Sequence, residues 1–280
     1  MSQIQGRREF LQIAAAGAVA CCGVGTAGAA SRRSRVGQPK FKLGLASYTL
    51  RKFDLDQTLA MTRKVGLKHI AFKSFHLSLD SSPKQIRETV AKVKEAGLDL
   101  YGGGVIYMRN REQVDQAFDY AKAAGMKVII GVPVPELLSL VNEKVKQYDI
   151  KLAIHNHGPG DKVYPLPRDV YKNVKNLDKR IGLCIDVGHT MRLGVDPATA
   201  IEECADRLHD VHLKDVSSAT AKGGCVEMGR GVIDVPKMLR ALVKIGYAGI
   251  ASFEYEKDAD DPLAGLAETV GYTRGVLAAI

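Results

Sequence analysis

The chain has 280 residues, of which 46% are hydrophobic, so it is long enough to bury a sizeable core in one large domain or two small ones. Its formal net charge of +9 would suit a nucleic-acid partner. Most of that positive charge lies before residue 43, however, and the rest of the chain is close to neutral, so we expect no nucleic-acid partner. The five Cys include no C-x-x-C pair, which argues against a Cys-based zinc site or a disulfide framework.

The N-terminus has the pattern of a bacterial export signal. Arg7-Arg8 forms a twin-arginine motif, an apolar run follows over residues 11–20, and Ala27-Gly28-Ala29 is an A-x-A-like cleavage site. The apolar run is too short for a membrane span. We therefore expect residues 1–30 to be a twin-arginine signal peptide, and the mature protein to be periplasmic or otherwise exported.

Two further features belong to this N-terminal region. Cys21 follows Ala18-Val19-Ala20, which leaves open a lipoprotein that is anchored to the membrane through a lipid on Cys21. Residues 31–41 are polar and basic, and we interpret them as a linker. The remaining residues, 42–280, form the predicted globular domain.

From residue 42 onward, short apolar runs alternate with longer amphipathic segments, as in βαβ units with a parallel sheet. The predicted strands are residues 43–48, 69–74, 99–105, 127–132, 151–155, 181–186, 210–213 and 250–254. The predicted helices are residues 55–65, 83–96, 112–124, 135–147, 167–176, 197–205, 235–245 and 262–277. This count predicts a single (β/α)8 TIM barrel. The rival doubly wound sheet usually carries G-x-G-x-x-G after its first strand, and here that motif is missing.

In a TIM barrel the active site lies at the carboxyl ends of the strands, and here the last four strands all end in ionisable residues. Neighbouring strands are about 5 Å apart, so these side chains are able to converge on one ion. The predicted ligands are His155, Asp186, His212 and Glu254. Imidazole combined with carboxylate suits Mn, Zn, Fe, Co or Ni better than Mg.

Other polar residues are expected around the same end of the barrel. Lys73 and His76 follow the second strand, and a Lys beside other cations has a lowered pKa and is able to act as a base. His157 follows the fifth strand and is a second candidate base. Tyr107 and Arg109 follow the third strand and, together with His76, are candidates for contact with a substrate.

Several motifs resemble those of the sugar phosphate isomerase/epimerase superfamily, the xylose-isomerase-like TIM barrels. They are CIDVGH at 184–189, HLKD at 212–215, GRG at 229–231 with Ile233-Asp234, and Phe253-Glu254. The resemblance covers the whole body of the chain. In addition, Lys-x-x-His at Lys73 and His76 resembles a subset of exported members that act on oxidised sugars.

The resemblance implies roles for individual residues. In the superfamily, Glu, Asp, His and Glu from the last four strands hold one divalent metal, and Asp186, His212 and Glu254 match three of them. His155 stands where the family has the first Glu, which puts a plain two-glutamate epimerase mechanism in doubt. The remaining matches imply substrate contacts for His189, Lys214 and Arg230.

The expected function is a divalent-metal-dependent sugar isomerase or epimerase that acts through an enediolate next to a sugar carbonyl. Candidate catalytic bases are Glu254, Lys73 and His157, and the expected partner is a small sugar or keto-sugar. A homo-oligomer is also compatible with the sequence.

Three alternative functions stay open. The same site would support a lyase or hydratase that acts on 3-keto-glycosides or on keto-glycals derived from them. A non-catalytic periplasmic sugar-binding module would not need four metal ligands. Phosphodiester cleavage, as in the endonuclease IV relatives of this barrel, is disfavoured because those enzymes hold three metals with many more ligands than the seven His here supply.

Overall fold

The computed structural model describes residues 38–280. The predicted signal peptide, Cys21 and most of the predicted linker lie outside the described residues. Residues 38–40 have no regular structure, and Phe41 is buried, with its ring centroid 6.1 Å from that of Tyr247. Over the described range, no helix combines the length and the apolar character that crossing a membrane requires.

Eight parallel strands form a closed barrel, in which each strand pairs with its neighbours in chain order and the last pairs with the first. The barrel strands are β1 Lys42–Ala46, β2 His69–Phe72, β3 Asp99–Met108, β4 Val128–Pro133, β5 Lys151–His155, β6 Ile181–Asp186, β7 Leu208–Leu213 and β10 Ile250–Phe253. Between β7 and β10, a short antiparallel hairpin contains β8 Asp215–Val216 and β9 Cys225–Val226.

At least one helix follows each barrel strand along the chain. The helices are α1 Leu55–Lys64, α2 Pro83–Glu95, α3 Arg111–Ala123, α4 Leu138–Tyr148, α5 Pro167–Val174, α6 Val187–Met191, α7 Pro197–Glu203, α8 Val235–Lys244 and α9 Leu263–Ala279. Local sequence explains several of their starts. Asp54 and Ser82 form capping boxes at α1 and α2, which satisfy backbone N–H groups that have no partner within the helix.

Buried apolar side chains occupy both faces of the sheet. The larger cluster, which includes Ile129, Leu152 and Leu239, lies between the barrel and its helices. The smaller cluster includes Ala153 and Cys184, two residues before His155 and Asp186 respectively. Because side chains alternate along a strand, this smaller cluster fills the barrel interior directly beneath the strand ends.

The structure confirms the predicted fold, and every predicted strand and helix has a counterpart. It adds two elements that the sequence pattern did not predict, the hairpin β8–β9 and the five-residue helix α6. Both are too short to produce a hydrophobic period. Both also lie at the carboxyl end of the barrel, where they form part of the candidate site.

Candidate metal centre and substrate pocket

Four side chains converge at the carboxyl ends of β5, β6, β7 and β10. His155, Asp186, His212 and Glu254 each offer one ligand atom, and these atoms all lie within 4.8 Å of one another. His155 Nε2 is 3.1 Å from His212 Nδ1 and 3.5 Å from Asp186 Oδ2. His212 Nδ1 is 3.2 Å from Glu254 Oε2. We call these four residues the quartet.

The chemistry of the quartet fits a divalent cation. All four side chains are buried, and the only counter-charge close to Asp186 Oδ2 among the described residues is the Lys214 ammonium, 2.9 Å away. Burying two carboxylates together is costly unless cations compensate their charge, and a bound divalent ion would add to the compensation that Lys214 gives. Two imidazoles and two carboxylates are the ligands that Zn, Mn, Fe, Co or Ni prefer over Mg.

The backbone around Asp186 fixes the direction of its carboxylate. Asp186 is the N-cap of α6, where Oδ1 accepts a hydrogen bond of 2.7 Å from the backbone N–H of His189. Its own backbone N–H donates to Asn156 Oδ1 at 3.0 Å, and Asn156 in turn donates to Thr190 Oγ1. With Oδ1 occupied in this way, Oδ2 is left to face the other three ligands.

Lys214, which the resemblance assigns to substrate contact, is buried against the quartet. Its Nζ donates to Glu254 Oε2 at 2.8 Å and also to Glu256, and it forms an ion pair with Asp186 Oδ2 at 2.9 Å. Burial opposes the charged ammonium, but the surrounding carboxylates outweigh burial and hold the pKa of Lys214 well above its ordinary value. Lys214 therefore supplies a fixed positive charge beside the quartet.

The two imidazoles of the quartet differ electrostatically. Complete burial lowers the pKa of His155 to about 3, which keeps its ring neutral with a lone pair available for an ion. For His212, burial is outweighed by the negative charge of Glu254, so its pKa is raised. Burial also disfavours the charged form of Glu254, but Lys214 and His212 outweigh burial and hold its pKa well below the ordinary value.

A cavity of about 230 Å³ opens above the quartet. We call it the reaction pocket, and its walls consist of Tyr48, Lys73, Val105, Tyr107, His155, His157, His189, Glu254 and Glu256. Tyr107 and His157 stack with their ring centroids 5.6 Å apart, and the Tyr107 hydroxyl lies 3.1 Å from His157 Nε2. Burial, followed by the nearby His189, lowers the pKa of His157.

Lys73 lies across the reaction pocket from the ends of β5 and β6. Its Nζ donates to the carbonyl of Val105 at 2.7 Å. Val105 is free to accept because it sits in a register shift of β3, where Gly104 and Ile106 pair with β4 but Val105 does not. Burial lowers the pKa of Lys73, although the charge of Glu254 opposes this effect.

Three residues predicted to contact substrate lie elsewhere. His76 is buried behind the pocket wall, bonded to Ser47 Oγ at 2.8 Å and Thr58 Oγ1 at 2.9 Å, so it joins the 3-10 turn after β1 to α1 rather than facing the pocket. Arg230 is 62% exposed and forms a two-bond ion pair with Glu268 on α9. Arg109 lies at the rim, with its guanidinium carbon 5.6 Å from the centroid of the Tyr107 ring.

The structure adds residues that the sequence did not single out. Glu256 lines the reaction pocket, and its position three residues after the end of β10, beside Glu254, was an available signal because the active site of a TIM barrel lies at the carboxyl ends of the strands. Asn156 accepts a hydrogen bond from the backbone N–H of Asp186 and so helps to position that ligand. Arg192 lies one turn beyond His189 at the end of α6. Neither residue follows from a strand-end pattern.

Comparison with known proteins places the fold in context. A structure of L-ribulose 3-epimerase aligns with a TM-score of 0.69 and 18% identity, over 85% of this chain and 95% of that one. A zinc-bound structure of the IolI protein aligns with a TM-score of 0.70 and 16% identity, over 85% and 99% of the two chains. A structure of an uncharacterised protein from Parabacteroides distasonis aligns with a TM-score of 0.67 and 23% identity, over 84% of this chain and 99% of that one.

A curated relative is the rhizopine catabolism protein MocC of Rhizobium meliloti. It is 28% identical over 131 residues, which span 41% of this chain and only 40% of that protein's length. The family model described as "Xylose isomerase-like TIM barrel" matches residues 41–275, which is nearly all of the described barrel. The chain therefore belongs to the family of xylose isomerase-like TIM barrels.

Proposed function

We propose that the protein is a divalent-metal-dependent sugar isomerase or epimerase. The observation that carries this proposal is the buried quartet at the floor of a pocket, whose four ligand atoms all lie within 4.8 Å of one another. A non-catalytic sugar-binding module would gain nothing from burying four ionisable groups together, because each pays a desolvation cost. The solved L-ribulose 3-epimerase and IolI structures support the fold alone at their level of identity.

His155, Asp186, His212 and Glu254 would hold the ion, which when bound would polarise a sugar carbonyl and stabilise the negative charge that develops on it. The protein's own groups then handle the proton. Lys73 has a lowered pKa and faces the reaction pocket, so its neutral amine is available to remove a proton from the carbon next to the carbonyl.

His157 is placed to handle a second proton. Its lowered pKa leaves the ring neutral near pH 7, and its contact with the Tyr107 hydroxyl gives it a partner for proton exchange. Return of the proton to the opposite face of the same carbon gives epimerisation, and return to the neighbouring carbon gives isomerisation. Lys214 holds Glu254 and Glu256 in place and adds positive charge beside the developing oxyanion.

A second candidate is a lyase or hydratase that acts on 3-keto-glycosides or keto-glycals. It is favoured by His155, which stands where the resemblance leads us to expect a glutamate and whose pKa of about 3 makes it a ligand rather than a base. Loss of a substituent from the carbon beyond the enediolate requires one base and one acid, and Lys73 supplies both, first as the neutral amine and then as the ammonium that it becomes. We also propose that residues 1–30 direct export to the periplasm, where free sugars would be the substrates.

The test combines metal analysis with turnover. We expect one divalent ion per chain in purified protein, and activity on a panel of free ketoses and 3-keto-glycosides. His212→Ala and Glu254→Gln should each lower metal content and reduce kcat/KM at least 100-fold while leaving the circular dichroism spectrum unchanged. The matched control is His209→Ala on the same strand, because His209 faces away from the quartet and bonds to Lys179 O at 2.9 Å. Near-normal rates in His212→Ala would contradict the proposal.

A further inference from the structure

A second cavity of about 320 Å³ adjoins the reaction pocket, between the end of α6 and the hairpin β8–β9. His189 and Glu256 line both cavities, so the two are separated by no more than these side chains. We call it the hairpin pocket. It is larger than the reaction pocket, and none of the proposed proton transfers takes place inside it.

Arg192 gives the hairpin pocket a fixed hydrogen-bond donor. Its Nη2 donates to Ala221 O in the hairpin loop at 2.7 Å, and its Nη1 lies 3.4 Å from His189 Nδ1. These contacts hold the guanidinium between α6 and the hairpin. A guanidinium held on two sides is preorganised, so the donors that these two contacts leave free can bind a polar group in the hairpin pocket.

The charges around the hairpin pocket favour a neutral polyhydroxyl ligand over an anion. Arg192, Lys214 and Lys257 present donors, whereas the carboxylate of Glu256 presents an acceptor on the shared wall. Both lysines are paired with carboxylates, Lys214 with Glu254 and Glu256 and Lys257 with Glu227, and these pairs offset their charges. Sugar hydroxyls both donate and accept hydrogen bonds and match such a mixed lining, whereas a phosphate or carboxylate would meet the like charge of Glu256.

We propose that the hairpin pocket binds a second sugar ring, so that the substrate is a glycoside rather than a free monosaccharide. This proposal rests on the proposed function, because it assumes that the reacting sugar occupies the reaction pocket. A pocket of about 230 Å³ is below the usual size of a ligand site, roughly 300–1,000 Å³, and the adjoining space brings the combined site into that range. The ring attached to the reacting sugar would pass His189 and contact Arg192.

Gly224 offers a way to fill the hairpin pocket without disturbing the quartet. A Cβ added to Gly224 meets nothing within 4 Å, whereas one added to Gly223 would lie 2.3 Å from Ser218 O. Gly224→Leu should therefore fold and project its side chain into open space. The matched control is Gly271→Leu on α9, where an added Cβ also meets nothing within 4 Å.

The first experiment compares kcat/KM for a 3-keto-monosaccharide and for the matching 3-keto-disaccharide, using metal-loaded protein. We expect wild type to prefer the disaccharide at least tenfold. Gly224→Leu should lower that ratio at least tenfold, Arg192→Met should raise KM for the disaccharide, and Gly271→Leu should keep the wild-type ratio. An active wild type with equal efficiency on both sugars, or a Gly224→Leu variant with an unchanged ratio, would overturn the inference.

A binding measurement separates this inference from the proposed function. Calorimetry with the unoxidised pair maltose and glucose needs no turnover, and we expect maltose to bind wild type at least tenfold more tightly than glucose. Gly224→Leu should remove that difference. Absence of turnover on every sugar would contradict the proposed function, whereas equal affinities for maltose and glucose would contradict the second subsite, whatever the enzyme activity.

Discussion

At the scale of single residues, burial determines how the ionisable groups of the site behave. Lys73 loses solvation without gaining a carboxylate contact, so its pKa falls, whereas Lys214 is buried among three carboxylates and its pKa rises. The two lysines are therefore suited to different roles, Lys73 as a base and Lys214 as a permanent cation. Residue type alone does not distinguish them.

Substitution of Lys73 tests its role as a base. Lys73→Met removes the amine, and loss of a general base typically costs about 10²–10⁴-fold in rate. Since only the neutral amine accepts a proton, the lowered pKa of Lys73 should place the rising limb of the wild-type kcat/KM profile below the ordinary lysine value of 10.5. Profiles measured from pH 5 to 10 should lose that limb in Lys73→Met. An unaltered limb in the variant would assign the base to another group, with His157 the next candidate.

Asp210 gives a prediction about stability. It lies inside the barrel beneath His212, and burial raises its pKa from 3.8 to about 7. The folded protein thus keeps the proton to a higher pH than the unfolded chain does, so the stability that Asp210 contributes is complete below pH 4 and is lost as the pH rises to 7.

Asp210→Asn should remove this loss in the metal-free protein. Between pH 4.5 and 7.5, the free energy of unfolding should fall by about 2–4 kcal/mol less in Asp210→Asn than in wild type. Urea denaturation in excess chelator at both pH values measures the difference. The exposed Asp260→Asn serves as the control for loss of a carboxylate. Parallel pH dependence in wild type and Asp210→Asn would show that Asp210 ionises normally.

The sequence predicted the quartet because each ligand follows a recognisable strand, and strand ends meet at one end of a barrel. It did not predict the contacts of Arg230 or His76, because each contact depends on the path of a connecting segment. Arg230 pairs with a glutamate on α9, and His76 turns back to α1. Strand periodicity carries no information about either contact.

At the scale of elements, the connection from β6 to α6 sets the geometry of the site. The strand ends at Asp186 and the helix begins at Val187, so one residue is both the last of the strand and the helix cap. The hydrophobic pattern predicted β6 but not α6, because five residues are too few to show a helical period. The hairpin β8–β9 escaped prediction for the same reason, although it forms a wall of the hairpin pocket.

Arg207 joins elements at the opposite end of the barrel. It is buried, and its two terminal nitrogens donate to the carbonyls of Lys175, Leu177, Asp178 and Ile181, which follow α5 and begin β6. Arg207→Met should leave these acceptors without their donor and lower the free energy of unfolding by about 2–4 kcal/mol, because hydrogen bonds from charged groups contribute about 1.5–3 kcal/mol each and are only partly replaced by water.

Chemical denaturation of Arg207→Met measures this loss, with Arg207→Lys as the partial replacement that retains charge but not the planar fork. Because Arg207 lies far from the carboxyl ends of the strands, folded Arg207→Met at low temperature should still bind one metal ion per chain. Stability equal to wild type would show that water replaces the four bonds without cost.

At the scale of the whole molecule, the two ends of the barrel have different roles. Buried ionisable groups gather at the carboxyl ends of the strands, whereas the hydrogen bonds of Arg207 lie at the amino ends, as expected of a TIM barrel. The fold was predictable from the alternation of apolar and amphipathic segments over the whole body of the chain. The pockets were not, because their walls come from loops and from elements shorter than a hydrophobic period.

Because the quartet brings together the ends of four barrel strands, we predict that metal binding raises the free energy of unfolding of the whole domain. A ligand that binds only the folded chain stabilises it by about 2.7 kcal/mol at a hundredfold excess over its Kd. For a domain of this size, each kcal/mol corresponds to about 2–4 °C in Tm, so wild type should melt roughly 5–10 °C higher with the preferred metal than in chelator. Differential scanning fluorimetry with Zn, Mn, Fe, Co, Ni and Mg ranks the ions by this shift. His212→Ala should lose most of the shift, whereas His209→Ala should keep it, because only the first removes a ligand. A shift of equal size in both variants would mean that the stabilising ion binds outside the quartet.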